Sequence, residues 1–275
     1  MYDFYFGTSS EIETNKEDYL VFVKRLLPRW VNSIPDSEYL AIHNLIQKSI
    51  QADKCPIILE TGIGASTIVL LNHAMKHNGV LYSWDINGSK GAFLRGVITD
   101  TLAKHYDANI WNHWKFIPYS STSDHLGVGV VAELGLESDF CFLDSEHTLN
   151  TLVSELKFAS KSLREGAIVA IDDANYSAKY MNTAYINMQR AKIGLSPVDD
   201  PPDNICAPFY EEAEQFLGEN WKVVESLETT YSTTYREDIF WSYFSSDRAA
   251  MSDKGMEKIS SLEHRLAAWR VKGRY

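Results

Sequence analysis

Ten residues, Ile58-Leu-Glu60-Thr-Gly62-Ile-Gly64-Ala-Ser-Thr67, restrict the fold of this chain more than any others. A short apolar run (Ile57, Ile58, Leu59) ends in an acid, two glycines follow, and Ser66 and Thr67 open a helix-compatible run, Ile68-Val-Leu-Leu71. Glycine permits a tight turn and close backbone approach. A strand that feeds a helix through such a turn presents free backbone N–H groups to a ligand at the helix N-terminus. The next apolar run, Val80-Leu-Tyr-Ser-Trp84, again ends in an acid, Asp85. An acid at the tip of a second parallel strand is placed to accept hydrogen bonds from ribose hydroxyls. Together the two features indicate a nucleoside-type cofactor.

The alternation continues along the chain. Helical patterns cover Ser66–His77 and Ser89–Tyr106. A third strand, Trp114–Pro118, leads into the polar stretch Tyr119-Ser120-Ser121-Thr-Ser-Asp124, and a fourth, Asp139–Leu143, ends in Asp144. Asn150–Leu163 is helical in period, with Arg164-Glu-Gly166 as its C-terminal stop. Ala167-Ile-Val-Ala-Ile171 is apolar throughout, as a parallel strand covered on both faces is, and ends in Asp172-Asp173. A helical pattern over Ala178–Lys192 gives way to the irregular, proline-rich loop Ser196–Asn204. After a short helix at Tyr210–Leu217, the runs Trp221–Glu225 and Ile239–Phe244 read as a terminal antiparallel pair.

This order predicts an α/β fold: a Rossmann-like, doubly wound, seven-stranded sheet, mostly parallel with an antiparallel last strand. The organisation expected is a helical cap or lid over residues 1–50 (Tyr19–Leu27 and Tyr39–Ile50 have helical periodicity), a cofactor-binding domain over 51–246 and a helical tail over 247–275. The basic end of that tail, Arg265 to Tyr275, reads as a solvated helix end, where cations are favoured.

Gly62-Ile-Gly64-Ala-Ser-Thr67 lacks the third glycine of a dinucleotide fingerprint, and Glu60 before the turn would face a pyrophosphate unfavourably. A carboxylate there suits a cofactor bearing an amino group. In Glu60-Thr-Gly62-Ile-Gly64 and Asp85 the chain resembles the class I S-adenosylmethionine-dependent methyltransferases. Their first motif is an acid-x-Gly-x-Gly turn, and their second strand ends in a ribose-binding acid. On this reading Glu60, Gly62, Ile63, Gly64, Ser66, Thr67, Asp85, Ser120, Ser121 and Asp144 bind S-adenosylmethionine.

Asp144, Asp172 and Asp173 end two strands expected to be neighbours, and three acids so close repel one another. A divalent cation, most simply Mg²⁺, resolves that repulsion. Helix capping by Asp173 explains its position equally well. Further resemblance bears on the choice. An Asp after strand four and an Asp-Asp pair after strand five look like the metal-dependent O-methyltransferases of catechol and macrocin/novobiocin sugar type. The strings FLDSEHT and LREGAIVAIDDANY resemble a methyltransferase family with an aspartate-x-x-histidine segment, grouped with cephalosporin hydroxylases. The resemblance spans about residues 55 to 245. It implies Asp144, Asp172 and Asp173 as metal ligands, and Asp144 with His147 as the catalytic pair. His147 is either a general base near neutral pH or a helix-start histidine bonded to a nearby carboxylate. Glu146 reads as a solvated or helix-capping acid. Trp111, Trp114, Tyr176 and Tyr180 are aromatic candidates for a substrate pocket, with packing as the other role open to each.

The net charge of −11 argues against a nucleic-acid partner, because phosphate neutralisation needs a basic surface. No apolar stretch approaches the length of a membrane span. The acidic N-terminus is unlike a secretory signal, and the three cysteines (Cys55, Cys141, Cys206) show no paired spacing, so a cytoplasmic location is expected. The partner expected is a small molecule offering a hydroxyl, with a homodimer through Tyr2, Phe4, Tyr5 and Phe6 as an open option. Three other functions compete: a metal-free methyltransferase acting on nitrogen or another nucleophile, an NAD-dependent oxidoreductase, and a non-catalytic binding protein.

Overall fold

The computed structural model describes residues 8–28, 30–32, 34–49, 55–146, 148–172, 174, 191, 196–197, 209–230 and 266–275. Among the described residues seven strands form one sheet: β1 (Ile57–Thr61), β2 (Val80–Trp84), β3 (Trp114–Ile117), β4 (Ser138–Leu143), β5 (Leu163–Ile171), β6 (Trp221–Leu227) and β7 (Ala267–Arg274), in the order β3-β2-β1-β4-β5-β7-β6. The first five run parallel, and β7 lies antiparallel to both β5 and β6. This is the Rossmann-like, doubly wound sheet that the sequence predicts.

The apolar runs serve both faces because side chains alternate along a strand. Ile58, Phe140, Phe142, Ile168, Ala170 and Ala268 point into one core. Leu59, Cys141, Leu143, Val169, Ile171 and Trp269 point into the other. The first core is closed by α4 (Ala65–Lys76) together with the N-terminal helices α1 (Ser9–Thr14), α2 (Lys16–Arg25) and α3 (Asp36–Ser49). Tyr19, Leu20, Tyr39, Leu40 and Ile42 are fully buried there, so α2 and α3 supply core to this layer. Inside it, the rings of His43 and His73 meet at 3.0 Å between α3 and α4. The second core is closed by α9 (Leu149–Ala159) and α10 (Phe209–Asn220), which follow the short helices α6 (Leu102–His105), α7 (Ile110–His113) and α8 (Val130–Glu133) along the chain.

A buried ion pair fixes the turn between α2 and α3. Lys24 Nζ lies 2.7 Å from Asp36 Oδ1, and Arg25 Nη2 lies 2.7 Å from Asp36 Oδ2. Burial pushes the Lys24 amine down to about 8, with Asp36 opposing the shift.

Two sequence expectations are corrected. The strand that pairs with β6 is Ala267–Arg274, within the tail expected to be helical, and Ile239–Phe244 lies outside the described residues. The basic residues of that strand have partners. Arg270 and Lys272 face Glu225 at 3.9 and 3.5 Å. Arg274 Nη2 donates to the carbonyls of Ser160 (2.9 Å) and Lys161 (3.2 Å), where α9 ends and a cation is favoured. Second, α9 stops at Ala159, and Arg164-Glu-Gly166 lies inside β5. Gly166, at φ +83°, sits where the β4–β5 register shifts, so the glycine serves a bulge in place of a helix stop. The predicted helix at Ala178–Lys192 and loop at Ser196–Asn204 fall almost wholly outside the described residues, as do Tyr2, Phe4, Tyr5, Phe6 and Cys206.

Candidate active site

The carboxyl ends of the parallel strands meet in one row. Gly62 N donates to Trp84 O at 2.8 Å, Asp144 N to Thr61 O at 3.0 Å, and Asp172 N to Leu143 O at 3.1 Å. The residues after β1, β4 and β5 therefore stand side by side. Gly62 cannot be replaced there: its φ is +75°, and a Cβ would lie 1.7 Å from the carbonyl oxygen of Asp144. The turn after β1 is thus pressed against the first of the strand-end acids. Gly64 opens α4, its N–H donating to Thr67 Oγ1 at 3.0 Å, and the carbonyl of Val31 from the N-terminal layer lies 3.1 Å from where a Cβ on Gly64 would sit. Ile63 is buried between them.

Glu60 points into the protein. It is fully buried and accepts hydrogen bonds from Ser66 Oγ (2.7 Å), Thr67 Oγ1 (3.0 Å to each carboxylate oxygen) and Ser83 Oγ (2.7 Å). Burial raises its pKa to about 7, although the three hydroxyls work in the opposite direction. The hydroxyls of Ser66 and Thr67, expected to face the cofactor, brace this carboxylate. What α4 offers a ligand is its first-turn backbone N–H groups, which have no acceptor inside the helix.

Asp85 stands at the tip of β2, mostly buried. Its Oδ1 accepts from Asn87 N at 2.8 Å, and its Oδ2 pairs with Lys90 Nζ at 3.1 Å on α5 (Gly88–Asp100). Beyond β3, Ser120 is exposed and bonds Thr122 Oγ1 at 3.0 Å, whereas Ser121 is buried and donates to Glu155. Glu146 Oε2 accepts from Thr151 Oγ1 at 3.2 Å, while Thr148 caps α9. Of the three expected metal ligands, Asp144 and Asp172 are brought together. Asp173 and His147 lie outside the described residues, and no group of three or more metal-ligating side chains is found among those described.

The aromatic expectations change. Trp114 is core, with its Nε1 on Ser83 Oγ at 3.0 Å. Trp111 is exposed and carries the Arg95 guanidinium 3.9 Å above its ring, close to the start of β3 and so at the far end of the sheet from the strand-end acids. Tyr176 and Tyr180 lie outside the described residues. Sequence reasoning missed Glu155. Its signal was an acid inside the apolar stripe of α9 formed by Leu152, Leu156 and Ala159, all buried as Glu155 is.

Residues 59–174 match the family model described as a methyltransferase domain. Among curated proteins none matches the chain by sequence. Three solved structures are similar over nearly the whole chain. Cofactor-bound Rv0187 from MTB is 14% identical, with a TM-score of 0.50, and the alignment covers 92% of this chain and 88% of that one. A Corynebacterium glutamicum protein is 10% identical with a TM-score of 0.51, covering 95% and 94%. The O-methyltransferase TomG from Streptomyces achromogenes, solved with SAM, is 13% identical with a TM-score of 0.48, covering 94% and 89%. At these identities the first two bear on fold alone. No helix among the described residues is long and apolar enough to cross a membrane.

Proposed function

We propose that this chain, a methyltransferase of class I type, binds S-adenosylmethionine at the tips of β1 and β2 and methylates a hydroxyl of a small molecule with the help of a divalent cation. The observation that carries the reading is the row of strand tips: the glycine turn after β1 touches the backbone of Asp144, and Asp172 stands on the next strand. The residues fit the cofactor. Asp85 offers a carboxylate to ribose hydroxyls, and the first turn of α4 offers N–H groups. A hard cation is supported by chemistry and position, since Asp144 and Asp172 follow neighbouring strands and Asp173 comes next in sequence, all three with the oxygen ligands such an ion takes.

When bound, the cofactor supplies an electrophilic methyl group, and the cation lowers the pKa of a coordinated hydroxyl. The chain's own part is to orient the acceptor between the tips of β4 and β5 and to take its proton on Asp144 or His147 as the methyl group passes from sulfur to oxygen and S-adenosylhomocysteine is left as the product. Glu60 does not touch the reacting groups on this reading; it holds the turn that does. The acidic composition, with a net charge of −11, supports a small-molecule partner over nucleic acid and is compatible with a cytoplasmic protein.

Calorimetry tests this in two arms. S-adenosylhomocysteine should bind the wild type and Asp172→Asn alike. Mg²⁺ should bind the wild type and fail to bind Asp172→Asn. A wild type that takes up no divalent cation yet methylates a hydroxyl after EDTA dialysis overturns the metal. A wild type that ignores S-adenosylhomocysteine overturns the whole reading.

A further inference from the structure

The geometry points to Glu155 as a positioning residue of the methyl-transfer site, an inference that rests on the function proposed above. Glu155 lies on α9, outside the sheet, and only 2% of it is exposed. Three hydroxyls from three different segments converge on it. Thr61 Oγ1, at the end of β1, donates to Oε2 at 3.1 Å. Ser145 Oγ, next to Asp144, donates to Oε1 at 2.5 Å. Ser121 Oγ, from the loop after β3, donates to Oε1 as well. Thr61 Oγ1 also lies 3.3 Å from Asp144 N, so the carboxylate, the threonine and the backbone of Asp144 form one chain.

Stability alone does not call for an acid at this place. Leu152, Leu156 and Ala159 on the same helix face are apolar and buried, and a buried charge costs more than an apolar side chain of like volume. What a carboxylate supplies here is a common acceptor, which ties the end of β1 and the segments following β3 and β4 to one point. A hydroxyl has one proton, and these three spend theirs on Glu155. The free lone pairs of Ser121 and Ser145 can then only accept, so any ligand atom that meets either oxygen must be a donor. Glu155 thus fixes both where Asp144 stands and which polarity the neighbouring hydroxyls present.

The test uses Glu155→Ala and Glu155→Gln in the full chain, with hydrogen–deuterium exchange on ligand-free protein and calorimetry with S-adenosylhomocysteine. In Glu155→Ala, exchange should rise in residues 119–127 and 144–148 while β6 and β7 stay as protected as in the wild type. Affinity should fall roughly ten- to a hundredfold, the factor set by leaving buried hydrogen-bonding groups unpaired. Glu155→Gln keeps one oxygen for Ser121 and Ser145 and should rescue both readouts to within about threefold. If Glu155→Ala does not fold, Ser145→Ala removes a single tether, and the rise is then expected in residues 144–148. Unchanged exchange in both loops, with only a lowered melting temperature, would show plain packing and overturn the inference. If the wild type ignores S-adenosylhomocysteine, the cofactor reading fails, and the exchange arm decides the role of Glu155 by itself.

Discussion

Glu60→Gln separates a brace from a ligand contact. In the folded chain Glu60 is fully buried with its pKa at about 7, against an ordinary value of 4.5. Below pH 4.5 both states hold the proton. Between pH 4.5 and 7 the folded state holds more protons than the unfolded one, so this carboxyl's contribution to stability is lost as pH rises through that window. At about 1.4 kcal/mol per pKa unit, the loss comes to about 3 kcal/mol by pH 8. The whole-protein pH profile cannot report it. Burial of His43 lowers its pKa to about 4, and a histidine so shifted gains stability over nearly the same interval. The difference between wild type and Glu60→Gln removes the contribution of His43, which both proteins share.

Glutamine is neutral, and its oxygen can still accept from the hydroxyls of Ser66, Thr67 or Ser83. Relative to wild type, Glu60→Gln should therefore gain about 3 kcal/mol between pH 4 and pH 8, offset by a pH-independent cost of about 1 kcal/mol for altered hydrogen bonds. Urea unfolding of the ligand-free proteins at five pH values measures this directly. A difference that stays flat with pH, or turns the other way, refutes the assignment of a protonatable Glu60.

Three further outcomes follow from the same geometry. Asp85→Ala should weaken S-adenosylhomocysteine binding by about 1–3 kcal/mol in a calorimetric titration, the cost of unpairing buried polar groups; unchanged affinity would remove Asp85 from the ribose. Asp36→Asn should destabilise the fold by about 3–5 kcal/mol in denaturant, because it removes the carboxylate charge 2.7 Å from the buried Lys24 amine. Deleting residues 266–275 removes the strand between β5 and β6 and lays both edges bare, so the truncated chain should be insoluble or aggregated on size-exclusion chromatography, and a monomeric, folded product would contradict the topology.

The strand tips were legible because parallel strands buried on both faces must be unbroken apolar runs, and each run here stops at a polar residue. Ile57–Leu59, Val80–Trp84, Asp139–Leu143 and Ala167–Ile171 carry that signal without help from elsewhere. β7 carried none. Ala267, Ala268 and Arg270 favour helix locally, and only pairing with β5 on one side and β6 on the other makes the segment a strand. Gly166 misled for a related reason: a glycine at positive φ serves a bulge as well as a helix end, and the register that distinguishes them belongs to β4.

The site was legible at the level of residue type and misread at the level of direction. Glu60 was visible as an acid before a glycine turn, but its partners come from α4 and from β2, so its orientation was fixed by residues up to twenty-three positions away. Glu155 shows the reverse case. Its one mark is an acid in an apolar helix stripe, and what makes it matter lies elsewhere in the sequence: Thr61 at the end of β1 and Ser121 and Ser145 in the connections after β3 and β4 all reach it. The division of labour is physical. Asp85 and Asp144 stand partly exposed at strand tips, where a ligand can reach them, while acids one layer below must be saturated by hydroxyls to be tolerated at all. The serines and threonines that surround the tips, which carry no motif by themselves, are what convert Glu60 and Glu155 from buried liabilities into braces for the acids above them.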